Sequence, residues 1–391
     1  MYKKILITIC LILGASFFCC HYLSAKNHFP NKNMTTIQFA SWGSESEISI
    51  LKPILEDFEK DNPNINVEFL HIPQNYFQKI HLLFASNTAP DVVFINNQYL
   101  PIYANAGVLE DLSPYSDDLG YRDFYNKSLQ ALTWKGKVYA VPRDVSNLVI
   151  FYNKNLFNKY NVPYPHKNWT FKEFVDISKK LTHRPDVFGI SFEEDPLFFL
   201  PYLTSEGGGF EKDILKDKTN YEALNFYAGL RTKHHVAPLK EESASATMAQ
   251  MFLQGKLAMH LSGRWLVPKY RQEAKFDWDV VEFPKGKKGS VVPLDASGWA
   301  IAKASKHKKE ALMLIKYLSS KESSEKFTAS GLVVPARIDV ANSSAFLDNQ
   351  KPKNAQAFLN VIETSKPTFV TVNYREILDN IKNRTEYIFN K

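Results

Sequence analysis

The stretch that most constrains the fold runs from residue 35 to residue 96, where short alternating segments and amphipathic segments take turns. "TTIQFA" (35–40) alternates, with Ile37 and Phe39 on one face, and reads as a strand. Ile48, Leu51, Leu55 and Phe58 then recur at helical spacing, with Pro53 expected in the first turns. "DNPN" (61–64) stops this helix, and "INVEFL" (65–70) alternates again. A second helix is predicted over about 75–87. "PDVVFIN" (90–96) is a short apolar run of the kind buried on both faces of a parallel sheet. Strand, helix, strand, helix, strand requires right-handed crossovers, hence a doubly wound α/β sheet.

Later segments extend this pattern. "LTWKGKVYAVP" (132–142) predicts a hairpin turning at Lys135-Gly136, and "LVIFYN" (148–153) a buried strand. "NWTFKEFVDISKKLT" (168–182) opens a helix with a capping box, Thr170 and Glu173, and buries Phe174, Ile177 and Leu181. Another helix opens at Ser305, with Ala311, Leu314, Ile315 and Leu318 as its apolar stripe. No internal repeat, low-complexity tract or heptad pattern interrupts the chain. A length of 391 residues is too great for one ordinary core, so two domains are expected.

The N-terminus is a separate object. Lys3 and Lys4 precede an apolar stretch from Ile5 to Phe18, too short to span a bilayer comfortably, and Leu23-Ser24-Ala25 offers a cleavage site. Residues 1–25 therefore read as an export signal and 26–35 as a polar tether. Cys19 and Cys20 raise lipid attachment as the alternative to free secretion. Lipid attachment wants a small residue before the cysteine; Phe18 and Cys19 stand there, so free secretion is favoured. Cys10, Cys19 and Cys20 are the only cysteines, so cleavage after Ala25 leaves no disulfide, thiol nucleophile or cysteine metal site. The formal charge of +7, two of it from Lys3 and Lys4, is mild and dispersed apart from "PKGKKGS" (284–290) and "SKHKKE" (305–310). Such a surface argues against nucleic acid as a partner.

Catalytic signatures are missing. The chain has no Gly-x-Ser-x-Gly elbow, no phosphate-cradling Gly-Lys-Ser/Thr loop and no His-Glu-x-x-His helix. His234 and His235 are adjacent, a spacing that splays two rings apart on a helix. Glu193-Glu194-Asp195 reads as a solvated loop, and Gly207-Gly208-Gly209 has no strand leading into it. No metal and no cofactor are expected.

"GKVYAVPRDVSNLVIFYNKNLFNKYNVPYPHKNWTFKEF" (136–174) resembles the signature region of the family 1 extracellular solute-binding proteins of ABC importers. The matching pattern is Tyr152, Asn153, Phe157 and Lys159, followed by Trp169-Thr170. "FLQGKLAMHLSGRWLVPKYR" (252–271), "DWDVVEFPKGKKG" (277–289), "ASGWAIAKASKHKKEALMLIKYLSSKE" (296–322) and "SGLVVPARIDVANS" (330–343) resemble further blocks of that family in order. The resemblance implies two doubly wound α/β lobes joined by a multi-segment hinge that closes on a ligand. It places 36–145 with 298–333 in an N-terminal lobe and 146–297 with 334–391 in a C-terminal lobe. Crossings are expected near 145–148, 294–299 and 332–336. It further implies a non-enzymatic, extracytoplasmic, monomeric protein that delivers a sugar or oligosaccharide to the permease subunits of an ABC importer. A lipid anchor would be its only membrane attachment.

Ligands of doubly wound sheets sit beyond the carboxyl ends of the strands, and the candidate residues cluster at such ends. Trp42, Gly43, Ser44 and Glu45 form the first strand-to-helix turn, where backbone N–H groups and short polar side chains are presented. Asn96, Asn97 and Gln98 follow a strand, and amides both donate to and accept from hydroxyls. Arg143, Asp144, Ser146 and Asn147 lie at the first crossing, with Asp144 as the carboxylate for a sugar hydroxyl. The resemblance places a sugar-stacking aromatic at Trp265. On an extended chain its neighbour Arg264 then faces outward. Gly298 and Trp299 lie at the second crossing, Trp299 as a second platform. Arg337 lies past the third, where relatives that bind anions use an arginine. Two alternatives remain open: a phosphorylated polyol such as glycerol 3-phosphate, gripped by Arg143, Arg264 and Arg337, and a secreted carbohydrate hydrolase, which needs two carboxylates across a cleft.

Overall fold

A computed structural model describes residues 34–243 and 245–389. The segment expected to be an export signal, with Cys19 and Cys20, lies outside the described residues. So does the tether except for Met34 and Thr35, and Thr35 already opens a strand. No helix among the described residues is long and apolar enough to cross a membrane.

The leading alternation folds as predicted. Strand β1 (Thr35–Ser41) pairs in parallel with β2 (Ile65–His71) and β3 (Val92–Asn96). Helices Glu45–Asp61 and Tyr76–Ala85 make the crossovers. The first helix begins earlier than its apolar stripe suggests, because Ser44 and Glu47 form a capping box, so Pro53 stands inside the helix. Strands β4 (Thr133–Trp134) and β5 (Lys137–Val138) form the predicted hairpin. Lys135 and Gly136 both take positive φ, 48° and 78°, as a tight two-residue turn requires.

Two larger sheets organise the rest. The first has the order β12 (Val334–Pro335), β6 (Val141–Ser146), β11 (Pro293–Ile301), β3, β1, β2, with β13 (Lys366–Pro367) added to β11. The second has the order β10 (Trp278–Val281), β7 (Val149–Asn153), β9 (Leu257–Ser262), β8 (Phe188–Ile190). The α/β class with two lobes holds, but the sheets are mixed. β11 runs antiparallel to β3 and β6, and β7 runs antiparallel to both its neighbours.

The chain leaves the first sheet between Ser146 and Val149 and returns between Val281 and Pro293. The later passages depart from the expectation that everything from 334 onward joins the second lobe. Val334 and Pro335 pair with β6, and helix Ile338–Ala341 packs on helix Lys321–Ala329 beside the first sheet. Helix Gln356–Thr364 then lies against β7, β13 returns to β11, and helix Tyr374–Phe389 packs on helix Lys218–Thr232. Likewise, 293–297 belongs to β11 of the first sheet. Ser305 caps differently from its prediction. Its hydroxyl donates to the Asp91 carboxylate at 2.6 Å, and the helix starts three residues later, at Lys308.

Candidate functional site

A cavity of about 330 Å3 opens at the carboxyl ends of β1 and β3, where the two lobes face each other. The first lobe contributes Trp42, Glu47, Phe94, Asn96, Asn97, Gln98, Arg143, Asp144, Asp295, Ser297 and the Leu332–Val334 edge; the second contributes Arg264 and Trp265. Ser146 and Asn147 line it from the β6–β7 link. A second depression, about 560 Å3, opens at the other end of the same sheet around Thr36, Asp91 and Lys306. No residue of the β7–β10 sheet borders it, so it belongs to one lobe.

The polar wall is cross-braced. Asp144 accepts from the Arg143 Nε and from the Ser297 hydroxyl, the latter at 2.8 Å. Asp144 thus pairs with Arg143 and also borders the cleft. The Arg143 guanidinium lies 4.9 Å from the Phe94 ring centre and 3.8 Å from the Glu47 carboxylate. Asp295 accepts from the Asn97 and Gln98 amides at 2.9 and 3.2 Å, and the Asn97 carbonyl oxygen accepts from the Ala296 N–H. Asn147 donates to the Phe358 carbonyl at 2.8 Å, while its own carbonyl oxygen is buried with no partner among the described residues.

Two tryptophans form the apolar walls. Trp42, 44% exposed, tilts against Phe94 at 5.9 Å between ring centres. Trp265, 37% exposed, lies back over Gly263, where an added Cβ would come within 1.9 Å of its ring. A side chain at 263 and this ring position exclude each other.

Several expectations need correction. Trp299 is not a platform: it is 0% exposed and packs edge-on against Phe39 and Phe94 at 5.3 and 5.9 Å. Trp299 pairs with Phe94, two residues before the carboxyl end of β3, and so lies deeper in the sheet than Ser297, which pairs with Asn96. Gly298 is a packing residue, since a Cβ there would lie 2.0 Å from the Val141 carbonyl oxygen. Gly43, Ser44 and Glu45 do not line the cavity. Ser44 caps the first helix, accepting from the Glu47 N–H, and Glu45 is exposed. Arg337 lies outside the cavity and donates to Asp123 and Asp339, each at 3.0 Å. Arg264 does not face outward but lies 2% exposed at the cavity wall. Residues 264–266 form a 3-10 turn, in which neighbouring side chains fan by about 120° instead of opposing each other.

Glu47 and Asp295 are cleft residues that the sequence reading missed. Asp295 carried a weak signal, a lone carboxylate two residues before Ser297 in an apolar strand.

A sequence model of the family described as bacterial extracellular solute-binding protein matches residues 42–325. The chain belongs to this family. Relatives of this solute-binding protein include the maltodextrin-binding protein of Bacillus subtilis, 25% identical over 91% of this chain and 86% of that protein. The galactooligosaccharide-binding protein of the same organism is 23% identical over 84% and 78%. An ABC substrate-binding protein of Listeria monocytogenes, solved in complex with cycloalternan, superposes with a TM-score of 0.80. It is 27% identical, with 91% of this chain and 94% of that one covered. The cavity of the solute-binding protein described here thus lies between two lobes of a fold built to hold a small molecule.

Proposed function

We propose that this solute-binding protein captures a sugar or oligosaccharide between its lobes and delivers it, outside the cytoplasm, to the permease of an ABC importer. The observation that carries the reading is the pairing of exposed Trp42 on one lobe with exposed Trp265 on the other, around a rim of amides and carboxylates. Indole faces offer flat apolar area to the C–H faces of a pyranose. Asn96, Gln98, Asp144 and Asp295 supply acceptors and donors for its hydroxyls. The maltodextrin, galactooligosaccharide and cycloalternan named for its relatives support the same class.

The hydrolase alternative gains nothing. Glu47, Asp144 and Asp295, the carboxylates that line the cavity, are each held as acceptors by neighbouring donors, which suits binding more than proton donation. Convergence of three arginines on a phosphorylated polyol fails for Arg337, which is committed elsewhere. The test is a thermal-shift screen with mono- and oligosaccharides, followed by calorimetry on the hits. Stabilisation by at least one saccharide is expected. Failure of a broad neutral and acidic panel to stabilise the protein would remove the reading.

A further inference from the structure

The second-lobe wall of the cavity contains a buried guanidinium with no hydrogen-bond acceptor among the described residues. The Nε, Nη1 and Nη2 atoms of Arg264 are buried, and none has a hydrogen-bond partner among the described residues. The guanidinium lies over the Phe346 ring at 4.0 Å and near Phe358 at 5.6 Å. Aromatic faces attract the cation but are poor substitutes for acceptors of its five N–H groups. The surrounding carboxylates are engaged. Asp348 pairs with Arg271 at 2.8 Å, Asp144 with Arg143, and Asp295 with two amides. Burial, and secondarily the charge of Arg271, lower the Arg264 pKa only to about 10, so the group stays charged at neutral pH. A buried charge without a partner is strongly destabilising, and an anion from outside would remove the deficit.

We infer that Arg264 receives an anionic substituent of the ligand, a carboxylate or a phosphate ester, and makes the cleft select acidic over neutral saccharides. The inference rests on the proposed function and deepens it. The guanidinium nitrogens are shielded from solvent, but no hydrogen bond restrains the side chain. Arg264 borders the cavity beside Trp265, and rotation about its side-chain bonds would present the fork there for two parallel N–H bonds to a carboxylate or phosphate.

The experiment is titration calorimetry on the mature chain. The probes are maltotriose and galactotriose with their uronic-acid counterparts, and glucose and galactose with their 6-phosphates. At least one acidic probe is expected to bind about tenfold or more tightly than its neutral counterpart, the scale of one charge-assisted hydrogen bond. Which acid does so tells carboxylate from phosphate. Arg264→Met should abolish this preference and leave the melting temperature of the free protein unchanged or higher, because it removes an unmatched charge. Equal binding of acidic and neutral probes by the native protein overturns the inference while the saccharide reading stands. So does an Arg264→Met variant that weakens both classes alike. Absence of binding by every probe overturns the inference, and the broad thermal-shift screen alone decides the saccharide reading.

Discussion

Trp265 owes its position to the residue two before it. Its ring occupies the space a side chain at 263 would need, so Gly263→Ala should push the indole off its seat. We expect saccharide affinity to fall by about tenfold or more, with little change in melting temperature, since the ring is already partly in water. Trp265→Ala should abolish binding with a stability change within about 0.5 kcal/mol, as for surface substitutions generally. Trp299 gives the opposite result. Its ring is closed in by Phe39, Phe94 and Phe327, and truncation of a buried tryptophan costs about 3–5 kcal/mol. Paired denaturation and binding curves separate the cases: if Trp265→Ala unfolds the protein, Trp265 is a core residue and the cleft loses its second wall.

At the scale of elements, the cap at Thr170 was readable, while those of the helices at Glu45 and Lys308 were not. Thr170 and Glu173 form the box expected of "NWTFKEF": the Glu173 carboxylate accepts from the Thr170 N–H at 2.7 Å, and the Glu173 N–H bonds the Thr170 hydroxyl at 3.2 Å. Thr170→Ala should therefore cost about 1 kcal/mol, readable as a shifted denaturant midpoint with unchanged slope. A value near zero would mean that tertiary packing alone holds this helix. Strands and helices of the first hundred residues were legible for the same reason as that cap: spacing along the chain encodes local structure. What the chain does not encode locally is which strands meet. Asp295 reaches the cleft because β11 sets it opposite Ser146 on β6. Trp299 leaves the cleft because it pairs with Phe94, deeper in the sheet, and Arg264 turns in through a 3-10 turn only a few residues long. Each of these depends on long-range pairing or on a turn type that alternation cannot anticipate. Trp42, Asn96, Asn97, Gln98, Asp144, Ser146 and Trp265 reach one cavity because strand ends are where doubly wound sheets expose polar side chains.

At the scale of the molecule, each lobe has its own sheet, and the chain passes between them several times. The β6–β7 link is tied to helix Gln356–Thr364 by Asn147, and Lys127 reaches the Glu363 carbonyl at 2.6 Å beside the β13 return. Closure about this link would require rotation at a few residues around Asn147 while each core stays intact. Because Trp42 and Trp265 stand on different lobes, a ligand touching both is bound better by the closed arrangement and shifts the population toward it. Two measurable consequences belong together. Scattering should show a smaller radius of gyration with saturating saccharide. Stability should also rise by about 2.7 kcal/mol at a free ligand concentration of 100 Kd, which for lobes of this size is a shift of roughly 5 °C or more. Stabilisation without contraction would mean that the ligand occupies one lobe only, and then Trp42→Ala and Trp265→Ala could not both impair binding. If both variants do impair it while the radius stays constant, the lobes are already closed before the ligand arrives, and the link at Asn147 is a fixed strut, not a hinge.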